Sequence, residues 1–309
     1  MSYHLTRNDG SVEKGLRRIA LDQIDAAIAE VDDGDLDAHA TVHQARKRCK
    51  KLRGLVRLVR PSFKDYAAEN AAFRDAADEL GDIRDSEAAV ATYDKLLRCY
   101  GDQIDPSAFA SIRDRLAARR RKAGRGGRVD ERLSGFRATM VVARRRAEAW
   151  RIEDDGFAAV SGGLGKTYKR ARKAMRRACD DPTAAKLHAW RKRVKYHWYH
   201  ARLMREIWPE VVGAHRDAAD ALGELLGEHH DLAVLEATVR EAPRAFGSPA
   251  DLDVFAGLIG RRRGVLAAEA FSLGPRLLAE KPGALLRRWD AYWRAWRSQE
   301  TARERAAAA

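Results

Sequence analysis

Two short stretches carry residue types suited to gripping oxyanions. The first reads His43-Gln44-Ala45-Arg46-Lys47-Arg48-Cys49-Lys50-Lys51-Leu52-Arg53. The second reads His188-Ala189-Trp190-Arg191-Lys192-Arg193-Val194-Lys195-Tyr196-His197-Trp198. Both follow H-x-x-R-K-R-x-K, and their histidines lie 145 residues apart. A guanidinium donates paired hydrogen bonds to a planar or tetrahedral oxyanion, and an ammonium acts as a compact point charge. Rows of them suit an anion that repeats its charge along its length. On a helix, His43, Arg46, Lys47, Lys50, Arg53 and Arg57 fall along one side, about 21 Å from first to last at 1.5 Å per residue. No acidic residue stands between His43 and Arg60. Solvated faces normally mix signs, so a single-sign run implies a partner.

The binding face expected from the sequence takes in Lys51 in the first copy. In the second it takes in His188, Arg191, Lys192, Lys195, Tyr196 and Arg202. A flanking row of charge comes from Lys14, Arg17 and Arg18 before the first copy, and from Lys166, Lys169, Arg170 and Lys173 before the second. His43 and His188 have two open roles. They donate to phosphate oxygens, more strongly when protonated since an unperturbed pKa lies at about 6.5, or they are packed residues tying helices together.

Other chemistries fit less well. Asp75, Asp78, Asp85, Asp217, Asp220 and Asp231 have no paired nucleophile and read as partners that hold basic side chains in register. His229 and His230 are adjacent and face different directions on a helix, and no Cys/His set has metal-ligand spacing. In Val160-Ser161-Gly162-Gly163-Leu164-Gly165-Lys166-Thr167, Val160 stands where a P-loop needs its first glycine, and the context is helical where a strand is required. Gly162 and Gly163 are expected to form the entry to a helix. The tryptophans Trp289, Trp293 and Trp296 recur at helical spacing, which suits a core. No catalytic residue, metal or cofactor is expected.

The elements that must position these residues are helices. Ala, Leu and Arg abound, and alternating β-branched runs are scarce. A hydrophobic fraction of 45% is enough for real cores. The net charge of +14 and pI near 9.9 point to polyanions: nucleic acid, an anionic membrane or polyphosphate. Three scattered cysteines, Cys49, Cys99 and Cys179, suit a reducing cytoplasm and use as small core residues. Residues 1–20 hold no apolar signal region, and no run approaches 18 apolar residues, so no membrane span is expected.

Taken in order, the spacing predicts a helix over 11–31 and the first basic helix over 37–60, ended by Pro61. An acidic helix through about Arg84 follows, closing in Leu80-Gly81-Asp82-Ile83-Arg84-Asp85, and then helices over 86–99, 107–122 and 129–151. Gly124–Gly127 is a break. Past the acidic linker Glu153-Asp154-Asp155-Gly156 the plan repeats. A helix is expected over 164–179, then the second basic helix with Asp181 as its cap and Pro182 at its first position. Leu226-Gly227-Glu228-His229-His230-Asp231 echoes the earlier Leu-Gly segment at an offset of 146. Helices over 251–271 and 282–303 close the chain. Two motifs in the same order imply a duplicated unit. The expected fold is therefore all-α: two helical bundles related by an internal pseudo-twofold, with a basic central groove. The halves are 1–152 and 153–309, together one domain.

At His43 with Arg46, Lys47 and Lys50, at His188 with Arg191, Lys192 and Lys195, and at the Leu-Gly-x-x-x-Asp segments ending at Asp85 and Asp231, the chain resembles the CHAD family, the conserved histidine α-helical domain. The resemblance spans about Ser11 to Arg297. It implies paired four-helix-type bundles around a basic groove and a role in binding inorganic polyphosphate, with some members found on polyphosphate granules. Some members carry a fused triphosphate-tunnel domain with an E-x-E-x-K motif. That motif is absent here, so a stand-alone binding module is expected. The implied function is cytoplasmic polyphosphate binding without turnover, on granules or free. The rival reading is a non-specific nucleic-acid-binding protein.

Overall fold

The computed structural model describes residues 3–123 and 127–307. Among the described residues there are eleven α-helices and no strand. Helix α1 is Val12–Asp32, α2 Ala38–Leu58, α3 Tyr66–Asp78, α4 Gly81–Cys99, α5 Ala110–Ala123 and α6 Gly127–Glu148. Then come α7 Gly156–Asp180, α8 Ala184–Leu203, α9 Pro209–Glu241, α10 Pro249–Leu277 and α11 Pro282–Ala307. Among the described residues no helix is long and apolar enough to cross a membrane.

The starts follow local chemistry. The Ser11 side chain accepts from the Lys14 N–H, Asp37 from Ala40, Thr183 from Lys186 and Ser248 from Asp251, satisfying donors that a helix start leaves open. Pro209 and Pro249 occupy first-turn positions, where the missing N–H costs nothing.

The helices pack through a small set of pairwise contacts. α1 lies on α2 and α6, and α2 lies on α3 and α4. α7 lies on α8 and α11, and α8 lies on α9. The main hydrophobic cluster draws on residues from Tyr3 to Trp296, with Leu16, Val56, Tyr168, Trp190 and Trp289 at its centre. A second cluster joins α4, α5, α10 and the C-terminal half of α9 through Tyr93, Ile112, Leu235 and Phe255. Trp289, Trp293 and Trp296 are core residues, as their spacing predicts, and Trp190 joins them.

α2 touches both α7 and α8, and two glycines set those approaches. A Cβ on Gly163 would stand 1.8 Å from the Leu58 carbonyl oxygen, and one on Gly54 2.8 Å from the Tyr199 Cβ.

Several sequence expectations are corrected. The acidic helix stops at Asp78, and the Leu-Gly segment opens α4 instead of closing α3. In the second half α9 runs unbroken through the same segment, so six helices in the first half face five in the second. Thr183 caps α8 in place of Asp181, and Pro182 precedes the cap. α7 begins at Gly156, where φ is +58°, and Gly162, Gly163 and Gly165 are interior helical residues. Those glycines look like breakers in sequence, but they are where α7 meets Pro61, Leu58 and Leu286. The near-P-loop is thus one side of a helix contact. Cys49 is a core residue, whereas Cys99 and Cys179 are exposed. Of the expected break at 124–127, only Gly127 is described, and it begins α6. The side chain of Asp85 lies outside the described residues.

Candidate functional site

The two sequence motifs meet in space, once in each half. Arg46 lies against the helix start at Gly81, with its Nη1 3.7 Å from where a Cβ would stand, and donates to the Ala77 carbonyl oxygen. Arg191 lies against Gly227, with its Nε 3.3 Å from the corresponding point. The glycine of each Leu-Gly segment therefore leaves the room that a motif arginine fills. One helical turn along, the Lys195 side chain lies over Gly223, 2.9 Å from where its Cβ would be.

A group of mutually repelling arginines sits where α2, α7 and α8 converge. The Arg57 guanidinium lies over the Tyr196 ring, 4.0 Å from its centroid, an attraction between cation and ring quadrupole. Arg53 and Arg193 bear on Arg57, and Arg57 and Arg170 bear on Arg60. The Arg60 Nη2 donates to the Gly163 carbonyl and the Thr167 hydroxyl, each at 3.3 Å. Among the described residues none of these five arginines forms an ion pair. Burial, and then the neighbouring cations against the opposing influence of Tyr66 and Tyr196, lowers the pKa of Arg57. Burial lowers that of Arg60 as well. Guanidinium stays charged regardless, so the cluster is a set of unneutralised cations held together by the fold. Arg60 and Arg193 were not among the expected site residues. Arg193 was legible as the second Arg of its motif, whereas Arg60 has no signal in a sequence where Pro61 reads only as a helix stop.

A matching contact lies on the other flank of the α2–α8 crossing. The Lys51 Nζ and the Arg202 guanidinium both lie over the Tyr3 ring, at 5.6 and 5.4 Å, and the Tyr3 hydroxyl donates to the Lys51 carbonyl at 2.6 Å. Burial, followed by Arg48 and Arg202, lowers the Lys51 pKa to about 8. Arg202 also lies over Trp198. Lys51 and Arg202 are thus covered by the N-terminal segment.

The remaining expected residues divide. His43, Lys47, Lys192, Lys166, Lys169, Arg170, Lys173 and Lys14 are exposed. Lys50 is half-buried, and with Arg46 and Arg53 it bears on the Cys49 thiol, which burial pushes up to about 12. Lys195 is held by Asp220 at 3.2 Å and Glu224 at 2.7 Å, and lies over Trp198. Arg17 donates to Glu13 and to the Trp150 carbonyl, and Arg18 pairs with Asp9 and donates to the His4 carbonyl. Those two fasten the start of α1 to the end of α6 and to the N-terminal segment. His188 stacks on His230 with centroids 3.7 Å apart, and burial, then Lys192 and Arg191, lowers its pKa to about 4. It is a neutral, packed ring at pH 7.

The acidic residues behave less uniformly than expected. Asp220 does hold Lys195, joined by Glu224, but Asp75 and Asp217 pair with their own neighbours Arg74 and Arg216. Where α4 meets α9 there is a cleft of about 460 Å³ lined by His43, Lys95 and Arg191 and by Glu87, Glu224, Glu228 and Asp231. Its charge is mixed, whereas the arginine cluster carries one sign, with Arg60 buried and Arg170 exposed. No group of three or more His, Cys, Asp or Glu among the described residues is placed to hold a metal ion.

Residues 18–240 match the family model described as CHAD domain. The fold is similar to the crystal structure of the CHAD domain from the plant Ricinus communis, with a TM-score of 0.53 and 21% identity over 86% of this chain and 89% of that one. A search of curated proteins finds no match.

Proposed function

This chain belongs to the CHAD domain family, and from that premise we propose that it binds inorganic polyphosphate without turning it over. The observation that carries the reading is the convergence of Arg53, Arg57, Arg60, Arg170 and Arg193 with no carboxylate paired to any of them among the described residues. A linear phosphate polymer carries charge on every unit, so successive units meet successive guanidinium groups, and counterions leave both partners. Exposed Lys166, Lys169 and Lys173 on α7 and Lys47 and Lys192 on the motif helices continue the surface on either side. If the four accessible arginines, Arg53, Arg57, Arg170 and Arg193, each neutralise a phosphate over buried Arg60, the slope of log affinity against log salt is roughly −2.8, taking about −0.7 each by analogy with single-stranded nucleic acid.

The two halves act as pseudo-twofold mates around a basic groove. Support comes from the reciprocal contacts at the α2–α8 crossing. Arg57 meets Tyr196 on one flank, and Arg202 stands near Lys51 on the other. The sequence offset of 145 turns one pair into the other. No bond-breaking step belongs to this reading, because the nearby carboxylates serve as counter-charges: Asp220 and Glu224 to Lys195, and Glu228 to Lys95 and Arg262. Attachment to polyphosphate granules would follow from the same chemistry.

Competition at fixed salt tests the assignment. Long-chain polyphosphate is expected to resist displacement by single- or double-stranded nucleic acid at equal charge concentration. Ready displacement would favour the nucleic-acid reading and sink this one. Chain shortening after incubation with Mg²⁺ would overturn the non-catalytic part alone.

A further inference from the structure

Helix α7 carries one sign of charge away from the arginine cluster. Between Asp155 and Asp180 it holds no acidic residue. Lys166, Lys169, Arg170, Lys173, Arg176 and Arg177 are all exposed, and among the described residues none forms an ion pair. Lys166, Arg170, Lys173 and Arg177 recur at helical spacing and stand one above another on a single stripe, with Lys169 and Arg176 along one edge. The other side of the helix is filled: Gly163, Leu164, Tyr168 and Ala171 are buried, and α7 packs on α2, α8 and α11. Like charges a turn apart oppose one another on a helix. The helix dipole favours cations near the C-terminus, which accounts for Arg176 and Arg177 but not for the four before them.

The stripe joins the cluster by direct contact. Arg60 of the cluster donates to the Gly163 carbonyl and the Thr167 hydroxyl of α7, each at 3.3 Å, and Arg170, just beyond Thr167, bears on Arg60. From Arg170 the two directions along α7 differ. Toward the N-terminus the stripe passes Lys166, then meets Gly162 against the Pro61 ring and the acidic linker Glu153-Asp154-Asp155. Toward the C-terminus it passes Lys173, Arg176 and Arg177 before the first acid, Asp180.

We propose that a polyphosphate chain seated at the arginine cluster continues along the α7 stripe to Arg177, so that long chains engage cations that short ones do not reach. This rests on the polyphosphate reading and adds to it a direction and a dependence on chain length. Arg170 to Arg177 is about 10 Å along the axis at 1.5 Å per residue, so a triphosphate held at the cluster leaves Arg176 and Arg177 without a phosphate.

The test measures triphosphate and long-chain polyphosphate binding by calorimetry over a series of salt concentrations. It compares the full chain with Arg176→Ala/Arg177→Ala. The variant is expected to hold triphosphate within about twofold of the unmodified protein. Its long-chain affinity should drop about fivefold or more at low salt, and its salt slope should shrink by roughly 1.4 for two lost cations. Longer chains also have more registers in which to bind, which changes affinity but not the slope. Arg176→Lys/Arg177→Lys keeps the charge and should keep the slope. Arg115→Ala/Arg119→Ala removes two exposed cations from α5, away from the stripe, and should leave the long-chain slope as it was. An unchanged slope in the α7 alanine variant would overturn the proposal, even with a loss of stability, since that is all a helix-dipole role would give. Equal losses for both ligands, or an equal loss in the α5 variant, would overturn it too, and each of these results leaves the central site standing. Failure of the unmodified protein to bind long-chain polyphosphate would instead remove the polyphosphate reading, and this inference with it.

Discussion

Arg57 is a cation without an ion pair among the described residues, and its neighbours fix it in place. The Tyr196 ring holds the guanidinium from one side, and Arg53 and Arg193 repel it from others. Arg57→Ala and Arg193→Ala should each weaken polyphosphate binding and reduce the magnitude of the salt slope by about 0.7, with the helical circular dichroism unchanged. Lys195 is the opposite case, because Asp220 and Glu224 already claim it. Asp220→Asn combined with Glu224→Gln should therefore raise polyphosphate affinity, by about threefold to tenfold at low salt. If affinity fell, the two carboxylates would be positioning Lys195 for the ligand. His188, which names the motif, is not expected to act as a cation. With its pKa near 4, its proton count does not change between pH 8 and 6, so affinity measured over that range should be the same for His188→Gln as for the unmodified protein once any uniform offset is removed.

Among the elements, the seam between α2 and α7 is the least tolerant. The missing side chain at Gly163 lets the two backbones touch, and a methyl group there has only the Leu58 carbonyl to displace. Gly163→Ala should cost about 3 kcal/mol or more in chemical denaturation, at the upper end of overpacking effects. It should also weaken polyphosphate binding by moving Arg60 and Arg170 apart. Gly162→Ala meets the edge of the Pro61 ring instead and should cost less. Equal stabilities for the two variants would mean that α7 is not seated on α2 as described. The Leu-Gly segments also find their explanation here. Gly81 and Gly227 are spacers for Arg46 and Arg191, a relation between helices that neither motif reveals alone.

Over the whole molecule, five histidines are built into the fold as neutral rings. His197 and His200 are fully buried, and His197 shares a 2.7 Å hydrogen bond with His215. Burial lowers the pKa of His188, His215 and His229 to about 4 and of His200 to about 3, and puts His197 well below its ordinary value. In the unfolded chain each titrates near 6.5. Between those values the unfolded state binds more protons, so folding stability declines as pH falls from about 6.5 toward 4. Thermal unfolding followed by circular dichroism should show a lower midpoint at pH 5 than at pH 7.5. A midpoint that rises on acidification would contradict the buried neutral rings.

By itself the sequence determined the all-α class, the helix starts at Ser11 and Asp37, the duplicated basic motif and the core role of the C-terminal tryptophans. Each of these is written in local periodicity, capping chemistry or repetition. The tertiary structure decided which cations remain unneutralised. Arg17, Arg18, Arg144 and Arg146 look as available in sequence as Arg53 and Arg57, yet the first four are bound to Glu13, Asp9, Asp25 and Glu69. A charge's partner depends on what lies a few ångströms away in space, and for Arg144 and Arg146 that is a carboxylate 119 and 77 residues distant in the chain. The same holds for the glycines of α7, which read as a helix entry until the close approach of α2 explains them. Spacing along the chain tells which residues share a helix face, but only the packing of helices tells what that face meets.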